Sequence, residues 1–149
     1  MRALLLSTLL ATAPVAAIAC PNWQGTPTYG DVQLSAGFLP DPHTVNLVAG
    51  GPNDLTKCGV GGAGFVATDP DYDVYWSDST GSLTFSVSSA EDTVLLINAP
   101  DGSWLYNDDT NGLNPEIVVN KPQEGLYDIW VGSYDPTGYA NAQLSVSEF

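Results

Sequence analysis

Between Ser82 and Tyr134 the chain alternates short apolar runs with turn signals. Leu83, Phe85 and Val87 interleave with Ser82, Thr84, Ser86 and Ser88. That period of two places apolar side chains on one face of a strand and hydroxyls on the other. The runs TVLLIN, EIVV and LYDIWV follow, parted by PDG, NDDTNG and PQEG, whose residues set turn dihedrals or hydrogen-bond their own backbone. The same reading predicts strands at 32–38, 45–49, 65–68, 73–78, 83–88, 93–98, 103–106, 115–120, 126–133 and 143–147. Short strands with turns between them and no sustained helical period predict an all-β fold: an antiparallel two-sheet sandwich. The stretch 50–64 holds six glycines and no apolar period, so an irregular loop pinned by Cys58 is expected there.

The first nineteen residues, MRALLLSTLLATAPVAAIA, carry one positive charge at Arg2, a short apolar stretch, and small residues at Ala17 and Ala19. This is the pattern of a secretory signal peptide over 1–19. The apolar run is too short and too interrupted for a membrane span of about 20 residues, and no second stretch of that length follows. Residues 20–149 then have the length of a single β-sandwich domain. Cleavage after Ala19 leaves Cys20 first, and Cys58 is the only other cysteine. Two cysteines in an exported chain point to a Cys20–Cys58 bridge. Lipid attachment at Cys20, as in bacterial lipoproteins, competes for the same sulfur; Ala17 stands where such a signal usually carries leucine.

Charge narrows the partners. The formal net charge is −14, and all 17 acidic residues lie in the exported part, against Lys57 and Lys121 alone. Nucleic acid and anionic membrane surfaces would repel such a chain. The partner expected is an extracellular or periplasmic protein or a glycan. Many of the acids need no role beyond a solvated exterior.

From about residue 65 to the end, three segments carry a family resemblance: GFVATDPDYDVYW, SLTFSVSSAEDTVLLINAPDGSWLYNDDTNGLNPEIVV and PQEGLYDIWVGSY. A strand pair leads into D-T-x-L-x-I-x-x-P-D-G, then an acidic D-D with a following N-P, then G-x-Y-x-I-x-V. This order resembles the bacterial pre-peptidase C-terminal (PPC) domain family. Small exported proteins of this type are often labelled as serine-peptidase-associated, because the module commonly rides on such enzymes. The resemblance implies a jelly-roll-like sandwich with its core over 65–149, a secreted or periplasmic, non-catalytic accessory role, and in some members a bound calcium.

Candidate chemistry is sparse. Asn107, Asp109 and Asn111, with Gly112 next, copy the first half of a calcium loop, in which alternate oxygens point inward. The twelfth position is Val118 rather than glutamate, so Glu116 or Asp101 would have to close the shell. An Asx-rich turn accounts for the same residues. Asp69, Asp71 and Asp73 also alternate, but Pro70 stiffens the run and Val74 replaces the glycine, which favours an ordinary acidic turn. Gly59 to Gly64 spells G-x-G-x-x-G without the strand before it and the helix after it that a dinucleotide site requires. The sole histidine, His43, lies beside Pro42 in an expected surface turn, and neither G-x-S-x-G nor G-D-S-G-G occurs, so no serine-hydrolase machinery is expected. Trp76 and Tyr127 are expected in the core, whereas Trp104, just after the PDG turn, is the aromatic expected to face a ligand. The reading is a secreted, non-catalytic binding or stabilising module. A carbohydrate-binding module is the alternative and a secreted hydrolase the less favoured one.

Overall fold

A computed structural model of the protein describes residues 19–78 and 80–149, so the predicted signal segment lies outside the described residues but for Ala19. In chain order the strands are β1 (Asp31–Leu34), β2 (His43–Ala49), β3 (Asn53–Asp54), β4 (Phe65–Val66), β5 (Tyr72–Trp76) and β6 (Ser82–Ser89). They continue with β7 (Thr93–Asn98), β8 (Trp104–Asn107), β9 (Glu116–Asn120), β10 (Gly125–Ser133) and β11 (Ala140–Ser147). No helix among the described residues is long and apolar enough to cross a membrane.

The alternation that marks β6 is the alternation of one whole sheet. Four strands in the order β2-β11-β6-β9 put Leu47, Leu144, Val146, Leu83, Phe85 and Val87 on the inner face. Thr84, Ser86, Ser88 and Gln143 lie on the outer one, as the period of two requires. The opposing sheet has seven strands. Its path runs β1-β5-β10-β4-β3, with β7 on the other edge of β10 and β8 beyond β7. Val74, Trp76, Leu95, Ile97, Tyr127, Ile129 and Val131 complete the core between the sheets.

The run TVLLIN in β7 lacks alternation for a reason visible only here: both faces are covered. Leu95 and Ile97 enter the inter-sheet core, while Val94 and Leu96 join Leu55, Val66 and Trp130 in a second, smaller core on the outer face. That second core is roofed by the glycine-rich segment, which is not simply irregular. It contains β3 and a short 3-10 helix at Leu55–Lys57, because burying Leu55 ties the segment down. Tyr106 fastens it further, its hydroxyl donating to the carbonyl of Ala63 at 2.9 Å. The Cys20–Cys58 bridge is present, with Cα atoms 5.5 Å apart. A disulfide fits an exported protein.

The expected antiparallel two-sheet sandwich is present, and one strand pair in it runs the other way. β1 pairs with β5 in parallel, Asp31 opposite Asp73 and Leu34 opposite Trp76. Between them the chain crosses to the other sheet as β2 and returns, and no tight hairpin forces the strands to run in opposite directions. His43 is also not in a surface turn. It opens β2 opposite Val146, and its Nε2 lies 2.9 Å from the Tyr72 hydroxyl, with the rings stacked.

Candidate functional site

Directly opposed residues in a sheet share a face, so register alone lines up side chains from strands far apart in sequence. On the outer face of the seven-stranded sheet one row reads Asp31, Asp73, Asp128, Asn98, Trp104, running across β1, β5, β10, β7 and β8. The next row is Gln33, Tyr75 and Leu126. On the other side lie Trp130, Leu96 and Tyr106, covered by the second core. Trp104 stands at the border, its ring 5.4 Å from that of Trp130 at an interplanar angle of 45°.

A strap formed by residues 20–30 lies across the edge of this face. Asn22 N–H donates to Thr68 O at 2.7 Å, Thr28 N–H to Pro70 O at 2.9 Å and Tyr29 N–H to Asp71 O at 2.8 Å, while the disulfide anchors its start. The strap carries Trp23, which is 52% exposed. Trp23 and Trp104, with Asn98, Pro100, Leu126 and Asp128, enclose a cleft of about 420 Å³ whose rim includes Glu124 and Gly125. Gly125 has φ +136°, and a Cβ there would meet Pro100 at 2.8 Å, so this wall admits no larger residue without a shift.

Electrostatically the floor is unusual. Asp73 and Asp128 are 5% and 3% exposed, and Oδ1 of each is buried without a hydrogen-bond partner. Burial raises the Asp73 carboxyl to about 7, helped by the charges of Asp128 and Asp31. Burial raises Asp128 to about 6, opposed by its own backbone amide and by Asp73. The pair thus favours holding one proton between two carboxylates. Asp71, also buried, has a separate structural role: its Oδ2 accepts the Val131 N–H at 2.7 Å. That bond lies where β10 passes from pairing with β5 to pairing with β4. Burial raises the Asp71 carboxyl to about 7 against the pull of that N–H. Asp71 and Asp73 are therefore parts of the sheet, not of an acidic surface turn.

The residues singled out from sequence fall in different places. Trp104 lines the cleft. Asn107 and Glu116 sit together across the β8–β9 turn, where Asn107 Oδ1 accepts from Glu116 N–H at 3.1 Å and from Thr110 Oγ1 at 2.9 Å. Asn111 Nδ2 donates to Glu116 Oε2 at 3.5 Å, and Asp109 is exposed in the same turn. Asp101 is not with them. It caps the β7–β8 turn at the other end of β8, its Oδ1 accepting from Ser103 N–H at 2.9 Å. Among the described residues no group of three His, Cys, Asp or Glu side chains is arranged to hold a metal ion. Asn98 and Asp128 are cleft residues that the sequence reading passed over. One signal was available: Asp128 interrupts the apolar run LYDIWV and Asn98 ends TVLLIN, both at positions where a chain with nothing to bind would favour apolar residues.

No protein-family model matches the chain, and no curated protein matches it in sequence. Among solved structures it is similar to the pre-peptidase C-terminal domain of a collagenase from Bacillus anthracis. The TM-score is 0.50 at 17% identity, with 78% of this chain and 94% of that one covered. The fold is PPC-like, as the resemblance implied. Aeromonas hydrophila PliG, a periplasmic inhibitor of g-type lysozyme, also aligns, with TM-score 0.38 and 15% identity over 78% of this chain and 96% of that one.

Proposed function

We propose that the protein is an exported, non-catalytic binding module that takes its ligand in the cleft between Trp23 and Trp104. The cleft itself carries this reading. Its volume of about 420 Å³ lies in the range of ligand-binding pockets, its walls are lined by two tryptophans, and its floor holds the Asp128 carboxyl. One further observation supports a binding rather than a catalytic role: His43, the only histidine, is engaged with Tyr72 between the two sheets and does not line the cleft. The bridge and the signal-like leader support export, and the PPC-like fold agrees with an accessory role.

The test is a comparison of the wild-type protein with Trp23→Ala and Trp104→Ala, each first shown to keep its melting temperature. Their capture of soluble partners from the native exported fraction, and their glycan-array profiles, are recorded side by side. A partner or glycan retained by wild type and lost in both variants is the expected result. Identical profiles for all three proteins, or a peptidase or glycosidase activity that disappears with Asp128→Asn, would remove this reading.

A further inference from the structure

We infer that the group this cleft receives is a cation, specifically the guanidinium of an arginine presented by a basic protein partner. The inference deepens the proposal above and rests on the cleft being a ligand site.

The lining favours a ligand rich in hydrogen-bond donors. Asp128 on the floor and Glu124 on the rim offer carboxylate acceptors, and Asp73 and Asp31 continue the acidic row behind Asp128. Most donors of the adjoining turn are already engaged. Asn98 Nδ2 places one of its two N–H groups on Gly102 O at 3.4 Å, and Ala99 N–H donates to Ser103 O at 2.9 Å and Gly102 N–H to Ala99 O at 2.8 Å. A sugar hydroxyl both gives and takes hydrogen bonds, so it would find acceptors here and, besides the indole N–H groups, few donors. Guanidinium has five donors and no acceptor, which matches that inventory.

The walls agree with the floor. An indole face attracts a cation through its quadrupole, and arginine stacks on tryptophan while its planar fork reaches a carboxylate. Trp23 and Trp104 supply two such faces. Among the described residues no lysine, arginine or histidine lines the cleft to oppose the charge. The field of the whole molecule has the same sign, with 17 acids and a net charge of −14. Such a field steers a basic protein toward the face and adds little for a neutral glycan. The surroundings also extend beyond a single small ligand. A second, smaller hollow shares Gly125 with the cleft and is lined by Gln33 and by Tyr75, which is 42% exposed. Exposed tyrosine and tryptophan around an acidic pocket are the composition of a protein-binding surface into which an arginine anchor inserts.

The test uses residues 20–149 with the disulfide intact, at pH 8 and low ionic strength, and follows the indole N–H signals of Trp23 and Trp104 by NMR. Four probes are titrated: a capped Gly-Gly-Arg-Gly-Gly peptide, the same peptide with neutral citrulline for arginine, glucosamine, and neutral chitohexaose. The arginine peptide should shift both signals saturably and the citrulline peptide should not. Asp128→Asn should weaken binding by roughly tenfold or more. The exposed Glu124→Gln, which cannot disturb folding, should weaken it less and reduce its salt dependence. Equal binding of the citrulline peptide overturns the inference. So does a larger response to glucosamine, which assigns the cation to a sugar, or to chitohexaose, which leaves the cleft a ligand site but for a glycan. If none of the probes moves either indole, the inference and the proposed function fall together.

Discussion

Asp73 and Asp128 face each other across β5 and β10, both buried, in the middle of a row that ends in the cleft. Neither neighbour in the row brings a positive charge: Asp31 lies beyond Asp73 and Asn98 beyond Asp128. Two carboxylates so placed are more stable with a shared proton than with two charges.

That relationship makes stability pH-dependent in a stated direction. Both carboxyls titrate above the usual value of 3.8, near 7 for Asp73 and near 6 for Asp128, so the folded protein binds protons more tightly than the unfolded chain. Their contribution is therefore complete below about pH 4 and is lost as pH rises through 6 to 7. The melting temperature at constant ionic strength should fall between pH 5 and pH 8. Asp73→Asn should lessen the slope and be more stable than wild type at pH 8, because Asn keeps a donor toward Asp128 without a second charge. Asp71, raised to about 7, keeps part of the slope in the variant. Parallel curves for the two proteins would show that the pair is not the cause.

The Cys20–Cys58 bridge spans a sequence separation of 38 residues. Closing a loop of that length in the unfolded chain stabilises the fold by about 4 kcal/mol in the chain-entropy account. Reduction, or the double change Cys20→Ser with Cys58→Ser, should lower the urea midpoint accordingly. It should also loosen the strap and weaken binding through Trp23, while Trp104 stays on β8. Intact mass should rise by two hydrogens on reduction. A diacylglycerol-type mass on Cys20, or equal midpoints with and without reductant, would contradict the role given to the bridge.

Calcium at the β8–β9 turn remains a proposal, with Asn107, Asp109 and Asn111 as ligands and Glu116 closing the shell. A cation there would take Asn107 Oδ1 from the Glu116 amide and the Thr110 hydroxyl. Binding of the folded state alone would stabilise it by about 2.7 kcal/mol at 100 times the dissociation constant. Calcium exchanged for sodium at constant ionic strength should then raise the melting temperature of wild type and not of Asp109→Ala. Equal shifts in the two proteins would leave the turn closed by its own hydrogen bonds and nothing more.

All ten segments predicted as strands contain strands, because a period of two, or an apolar run bounded by glycine, proline and asparagine, is a local property of the chain. The disulfide was equally legible, since two cysteines in an exported chain leave few alternatives. Trp104 stands out in the sequence as an aromatic just after a turn, and in the structure it lines the cleft. β3 was missed, because two residues carry no period and Leu55 is buried by packing across the sheet. The parallel pairing of β1 with β5 was missed because it follows from a crossover through the second sheet. The acidic row from Asp31 to Trp104 joins residues up to 97 positions apart, Asp31 and Asp128, only after hydrogen bonds have set the register of five strands. Trp23 belongs to the cleft only because the bridge and the strap hold it there. Strand-forming pattern is a matter of each residue and its neighbours, whereas a binding site is a matter of which distant residues share a face. Non-local pairing alone decides the second.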